Sequence, residues 1–384
     1  MAVGLKNNRL IFEFPEIHPD AVLEIDFHRT NRLPEDAHVH SLPPSLGSFP
    51  LRDIHDLPKD KIPANWLKRG GIVLPMHQTE AMWMSFHSPG GYPMAVKVCV
   101  GKVNAVTGKP WSEDLAFGDD QDFMQVPGQM WMDGICIGKG VIRQFVAMPL
   151  GQGYTVEGQV TGKEDHGGLQ ILVKPLLPAH FTKVPKLPRR ASYDSSFAVM
   201  ASGFDEPGVL FSAAPSSDGP SLSPSSFKVG SPLRAMASVD ATMRSPAPRK
   251  LDMGLAAGGQ MKQEIYVSPI EPQHWSAAKS RCFVAIANAE SWADITGTNA
   301  PALPESYATH VSKGGKVFEV AETGHALEGG APLKGVKSLK AHGETIGENP
   351  LPVDVSVDPA SVKTVKVYGN LPISGAKLVS EGVI

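Results

Sequence analysis

Three cysteines in a chain of 384 residues are too few, and too odd in number, to build a disulfide framework. A reducing, cytoplasmic setting is therefore the expectation. An excess of one charge is also missing: 36 lysines and arginines stand against 39 aspartates and glutamates, for a formal net charge of −3. That balance argues against nucleic acid as the main partner, because neutralising phosphates takes a concentrated basic surface. No apolar run approaches the roughly 18 residues that a membrane-spanning helix needs, so no membrane partner is expected. The first 15 residues mix charged and apolar side chains and do not form the basic-then-apolar pattern of a secretory signal. Familiar catalytic patterns are absent as well: there is no G-x-S-x-G turn, no phosphate-cradling P-loop and no H-E-x-x-H helix.

Apolar residues make up 42% of the chain and charged residues 20%, which suits a globular protein with a sizeable core. The core-forming segments read mostly as strands. Tyr92–Val100 is valine-rich and alternating, the pattern of a half-buried strand. Trp131–Ile137 and Gly140–Met148 flank Gly138-Lys139-Gly140 and predict a hairpin. Leu169–Lys174, Gln260–Val267 and Arg281–Ile286 are further strand candidates. Two short helices are expected, one capped by Thr155 and stopped by Gly162, the other capped by Asn288 and stopped by Gly297. The doublets Gly167-Gly168 and Gly258-Gly259 read as turns. The fold class that follows is a β-rich α+β chain, with antiparallel sheets, sandwich- or barrel-like, built from both halves and carrying few short helices.

The halves are separated by residues 183–250, where 14 serines, nine prolines and four glycines fall among 68 residues. Such a segment buries too little apolar surface to offset its chain entropy, and it reads as a flexible insert. Within it, Arg189-Arg190-Ala191-Ser192 has the form of a basophilic kinase site, so Ser192 is a modification candidate. The organisation expected is an N-terminal β-rich part (1–182), the insert (183–250), a second β-rich part (251–342) packing on the first, and a terminal hairpin-like extension (343–384). In that extension Val353–Val357 and Val362–Val367 alternate valine with polar residues.

Gly71–Trp83, Ala95–Val98, Gly101–Gly108, Ile142–Leu150 and His166–Ile171 together resemble a family of uncharacterised bacterial and fungal proteins. Met261–Tyr266 and Ile295–Gly297 extend the resemblance past the insert. It implies one fold shared by both halves and carries no established activity.

Few residue groups suggest chemistry. His77 and Glu80 would meet if His77-Gln78-Thr79-Glu80 formed a helical turn, giving an acid–base pair beside Trp83. Asp133 and Arg143 fall on neighbouring candidate strands, as do Lys262 and Glu264 on a later one, and each pair can be read as an ion pair. With Trp83 and Trp131 as aromatic walls, these groups would line a pocket for a small polar ligand. His38 and His40 share a face of an extended chain, but no segment completes a metal-ligand set, so no metal and no cofactor are expected. Cys99, Cys136 and Cys282 lie in apolar runs and read as buried, inert thiols. Two functional classes remain: a non-catalytic binding or self-assembling protein, homo-oligomeric through its strand edges, or an enzyme whose polar site centres on His77 and Glu80.

Overall fold

The computed structural model describes residues 2–182, 251–320, 325–351, 357 and 359–367. Ser192 and the whole 183–250 segment lie outside the described residues, as do residues 353–356 of the terminal valine repeat.

Local sequence explains how the sheet begins. β1 (Ala2–Lys6) and β2 (Arg9–Glu13) are joined by Asn7 and Asn8 at φ 51° and 59°, the left-handed pair that a two-residue hairpin needs and that asparagine tolerates. β2 passes into β3 (Val22–Thr30), followed by β4 (Ser45–Ser48), β5 (Arg52–Asp53), α1 (Ala64–Arg69) and β6 (Ile72–Met76). Next come β7 (Ala81–His87), β8 (Met94–Val100), β9 (Val103–Asn104), β10 (Met124–Val126), β11 (Trp131–Met132), β12 (Gly134–Gly138) and β13 (Val141–Pro149). The chain up to the insert ends with α2 (Val156–Thr161) and β14 (Leu169–Pro175). Beyond the insert lie β15 (Asp252–Lys262), β16 (Ser280–Asn288), α3 (Trp292–Thr296), α4 (Tyr307–Ser312), β17 (Lys316–Val320), α5 (Ala331–Lys334), α6 (Leu339–Ile346) and β18 (Lys363–Val367).

Sixteen strands belong to one open sheet whose main order is β1-β2-β3-β7-β13-β15-β16-β14-β8-β10. All its pairings between named strands are antiparallel except β6 on β16. The strand-rich, mainly antiparallel fold class is thus as the sequence predicts, and both halves supply it. β15 enters beside β13, with Phe145–Pro149 paired to Ala257–Met253, and β16 lies against β14 from Leu169 to Val173. One apolar core follows, in which Phe12, Phe27, Met84 and Phe145 pack with Leu255, Val284 and Ile286. Each such buried side chain stabilises the fold by about 1.5–3 kcal/mol relative to exposure.

Several expectations need correction. β8 is buried along its whole length rather than on one face, because Lys97 in its middle is 1% exposed and satisfied: its ammonium meets Asp122 Oδ2 at 2.6 Å and donates to the carbonyls of Ser112 and Asp114. The strand sought at Gln260–Val267 starts earlier, at Asp252, and stops at Lys262. Gly258-Gly259 is no turn. It lies inside β15, where a Cβ on Gly258 would meet Val146 Cγ2 at 2.6 Å and one on Gly259 would overlap the Pro34 carbonyl. The strand predicted at Val362–Val367 exists as β18, but it pairs in parallel with β17 instead of closing a terminal hairpin, and residue 343 falls within α6. Both predicted capped helices form: Thr155 accepts from Gly158 N–H and Gly162 is left-handed, while Asn288 caps Glu290 N–H and Gly297 ends α3. No helix among the described residues is long and apolar enough to cross a membrane.

Removing the second half leaves β13 without β15 and β14 without β16, baring apolar faces and unpaired backbone. Residues 1–182 expressed alone are expected to aggregate or to unfold without cooperativity in denaturant. A monomeric fragment as stable as the full chain would show instead that the halves fold independently.

Candidate functional site

The residues singled out in the sequence do not assemble into one site. His77–Glu80 forms the tight turn between β6 and β7, with Thr79 at φ 66°, rather than a helical turn. Glu80 Oε2 accepts the His77 backbone N–H at 2.9 Å, while the His77 ring faces the Pro301 carbonyl through Nε2 at 2.9 Å. The Glu80 carboxylate belongs to Arg29, whose Nε donates to Oε1 at 2.6 Å. Burial pushes the Glu80 carboxyl up and the Arg29 guanidinium opposes it. His77 and Glu80 are therefore no acid–base pair.

Asp133 and Arg143 do not pair either. The β12–β13 register sets Ile135 opposite Arg143, whose Nη1 donates to the Gly258 carbonyl at 3.3 Å. Asp133 instead exchanges bonds with Gln263: Gln263 Nε2 donates to Asp133 Oδ2 at 2.8 Å and Asp133 N–H donates to Gln263 Oε1 at 3.0 Å. Lys262 meets Glu319 at 3.4 Å, not Glu264. Trp83 and Trp131 share a face, but it is covered by Tyr307, Val311, Val317 and Phe318 and forms a second core. The space left beside Trp131 and Glu264 is about 10 Å³, no more than one water. The polar-ligand pocket expected there is filled by side chains.

A much larger cleft, of about 710 Å³, opens on the other flank. One wall is the end of α1. Trp66 anchors that helix in a small core with Ile54, Leu57 and Trp292, which turns Lys68 and Arg69 of the last turn toward the cleft. Gly70 and Gly71 (φ 63° and 87°) then reverse the chain into β6, and any Cβ on Gly71 would overlap the Phe283 carbonyl. Arg69 is pinned: its guanidinium donates to the carbonyls of His166 and Asp165 at 2.8 and 3.1 Å and lies 5.1 Å over the Phe283 ring. Opposite stand Lys102 and Trp111 from the loops around β9, Gln170 of β14 and Arg281 of β16. Val3, Gly4 and Leu5 of β1 close one side.

The lining thus carries four permanent cations, Lys68, Arg69, Lys102 and Arg281, against the single carboxylate of Asp53. Arg281 is offset by Glu113 at 2.9 Å. Lys68 and Lys102 are exposed and have no ion-pair partner among the described residues. Cys282 also lines the cleft, but burial pushes its thiol up to about 12, leaving no thiolate for chemistry near neutral pH. Cys99 and Cys136 are buried as well.

His166 is the most constrained group there. Its Nδ1 lies 2.8 Å from Glu157 Oε1, and Glu157 Oε2 accepts the backbone N–H groups of His166 and Gly167 at 3.2 and 3.0 Å. Gly101, at φ 56°, leaves room for that carboxylate, since a Cβ would overlap it. Among the described residues, no group of three or more His, Cys, Asp and Glu side chains is arranged to hold a metal ion.

What the fold and cleft define is a strand-rich body with a cationic recess on one flank. The chain matches no family model, no curated protein and no solved structure. The sequence candidates missed every polar residue of the cleft, which come from β5, the β5–α1 link, α1, the β8–β9 loop, the α2–β14 loop, β14 and β16.

Asp133 yields a test of the buried polar set. Burial pushes its carboxyl up to about 8, against about 3.9 in an unfolded chain. Between those values the folded protein holds a proton that the unfolded chain has released, so this group makes stability fall as pH rises, by up to ~1.4 kcal/mol per pH unit. Asp133→Asn removes the dependence. Denaturant unfolding at pH 5 and 7.5 is expected to show the variant gaining on the wild type by about 1–3 kcal/mol at the higher pH. A difference unchanged by pH would mean that Asp133 is charged in the folded protein.

Proposed function

We propose that the protein is a non-catalytic binding protein whose cleft between α1, the β8–β9 loop and β16 holds a small anionic ligand. The observation that carries this reading is the pair Lys68 and Lys102, which face one recess of about 710 Å³ without an acid partner among the described residues. The volume lies within the usual span of small-ligand pockets, about 300–1,000 Å³. Two unneutralised ammonium groups with the pinned Arg69 beside them favour an anion, and a partly enclosed recess strengthens that attraction relative to open water. Binding rather than turnover is favoured because the Cys282 thiol is not activated, no metal-ligand set exists among the described residues, and the Glu80 carboxylate is held by Arg29.

Calorimetric titration with pyrophosphate or citrate is expected to show saturable binding that weakens as salt rises. Reversing both exposed charges, Lys68→Glu with Lys102→Glu, should weaken it at least about tenfold without lowering thermal stability, since neither lysine has an ion-pair partner to lose among the described residues. Absence of binding, or binding indifferent to the reversal, overturns the reading.

A second reading, self-assembly, is favoured by β1. Lys6 and Arg9 close a two-residue hairpin and form a hydrogen-bonded pair, so the alternation of an antiparallel ladder turns the backbone groups of Val3 and Leu5 away from β2. Val3 is 37% exposed. If copies join through that edge, sedimentation should show a dimer that Val3→Lys converts to monomer; a wild-type monomer at high concentration removes this reading.

A further inference from the structure

The proposal that follows rests on the anion-binding reading of the cleft and names the class of ligand. We infer that the cleft is built for a small anionic sugar, a sugar phosphate or sugar acid, with its hydroxyls donating to fixed acceptors and its anionic group set between Lys68 and Lys102.

Each polar group of the cleft keeps a defined hydrogen-bonding end after the fold has used the other. A carboxylate only accepts hydrogen bonds, so the Glu157–His166 contact at 2.8 Å requires the proton on His166 Nδ1. Nε2 is then the ring nitrogen left to face the cleft, and it has no protein partner among the described residues. The same logic applies to Gln170. Its Nε2 donates to the Gly101 carbonyl at 2.9 Å, which fixes the amide and leaves Oε1 as the accepting end. Asp53 completes the set: one carboxylate oxygen accepts the His55 N–H at 2.8 Å and the other stays available.

Two acceptors in a cationic recess, Gln170 Oε1 and the second oxygen of Asp53, are unexpected if the ligand is a bare anion, because an anion brings acceptors of its own and would leave these unmatched. A partly buried acceptor facing another acceptor loses a hydrogen bond and gains repulsion. The ligand that satisfies both sets has donors and negative charge in one small body, which describes a polyhydroxylated anion. Trp111 adds a half-buried indole to the lining, and its backbone N–H is tied to the Lys102 carbonyl at 2.8 Å. Its ring is an amphipathic platform of the kind on which the C–H face of a sugar packs.

The structure invests in holding these groups still. Gly101, Gly167 and Gly168 all adopt positive φ around the Glu157–His166 contact, and Gly101 N–H donates to the Gly168 carbonyl at 2.9 Å, locking the two loops that carry Lys102 and His166. A surface turn would need none of this. Preorganised acceptors reduce the ordering that a hydroxylated ligand must impose when it binds.

Calorimetry with glucose 6-phosphate, glucuronate, inorganic phosphate and glucose tests the inference on the full chain. One of the two anionic sugars is expected to bind at least about tenfold tighter than phosphate, and glucose alone below detection. Gln170→Leu and Trp111→Ala should reduce the sugar anion to the level of phosphate while leaving phosphate binding unchanged, with circular dichroism melts confirming that both variants fold. The Lys68→Glu, Lys102→Glu variant should lose both ligands. If phosphate binds as well as both sugar anions, the sugar inference fails and the anion-binding reading stands. If none of the anions binds, both fail. Tight sugar-anion binding that ignores Gln170 and Trp111 also overturns the inference, because the ligand then sits elsewhere.

Discussion

The ladder between β13 and β15 is the interaction on which the rest of the molecule depends. It runs from Val141 opposite Lys262 to Pro149 opposite Met253, and it joins the chain before residue 183 to the chain after residue 250. Its geometry dictates small residues. β15 reads Ala256-Ala257-Gly258-Gly259 at its centre because neighbours press on it closely: Val146 and Gln144 across the ladder, Leu33 and Pro34 on the adjoining loop. The register shifts between Arg143 and Phe145, opposite those glycines, and a bulge there lets the strand bend while the pairing resumes beyond it. From this seam the sheet extends one way through β7 and β3 to β1, and the other way, through the short contact of Asp252 and Met253 with β16, toward β14 and β8.

The same seam shows how much was legible in the sequence. Strand identity could be read from valine-rich alternation, and the two helix caps from Thr155, Gly162, Asn288 and Gly297, because those signals act within a few residues. Pairing partners act over longer separations, 47 residues between β17 and β18 and more than a hundred between β13 and β15. Nothing local to Lys363–Val367 says that it will lie parallel to β17, and nothing local to Gly258-Gly259 distinguishes a turn from a strand interior that has no room for Cβ atoms. The short helices α4, α5 and α6 span only four to eight residues, too few to show a helical period against their loops. The cleft was hidden for a related reason. Its polar residues come from segments scattered along the chain, and no motif records a set that only the tertiary fold brings together.

Buried polar groups account for the mistaken site. A sequence shows that Glu80, Asp133 and Lys97 lie among apolar residues, and such groups are natural suspects for catalysis. In the structure each is matched inside the protein: Glu80 with Arg29, Asp133 with Gln263, Lys97 with Asp122 and two carbonyls. Arg29 also reaches the Ala302 carbonyl at 2.7 Å, and Asn31 the Glu305 carbonyl at 2.7 Å, so this set fastens the segment after α3 to the sheet. Removing one partner would leave a buried group unmatched, which typically costs about 3–5 kcal/mol for a charged pair. These pairings hold loops in place, and a group whose hydrogen bonds are already spent on that task has little left for a substrate.

That distinction is also why the cleft stands apart. Arg69 is spent on two carbonyls and a phenyl ring, and Arg281 is shared with Glu113, so neither is a free hand for a ligand. Lys68 and Lys102 are different, and so are the unengaged ends of His166 and Gln170. The constrained cations hold the walls at a fixed separation and raise the local potential, while the unconstrained groups remain to meet what enters. Glu157 links the two roles. By accepting hydrogen bonds from His166 Nδ1 and from two backbone N–H groups at once, it fixes the α2–β14 loop and leaves Nε2 as the ring atom that faces the cleft. A side chain buried behind the wall thus decides the chemistry that the cleft presents in front of it.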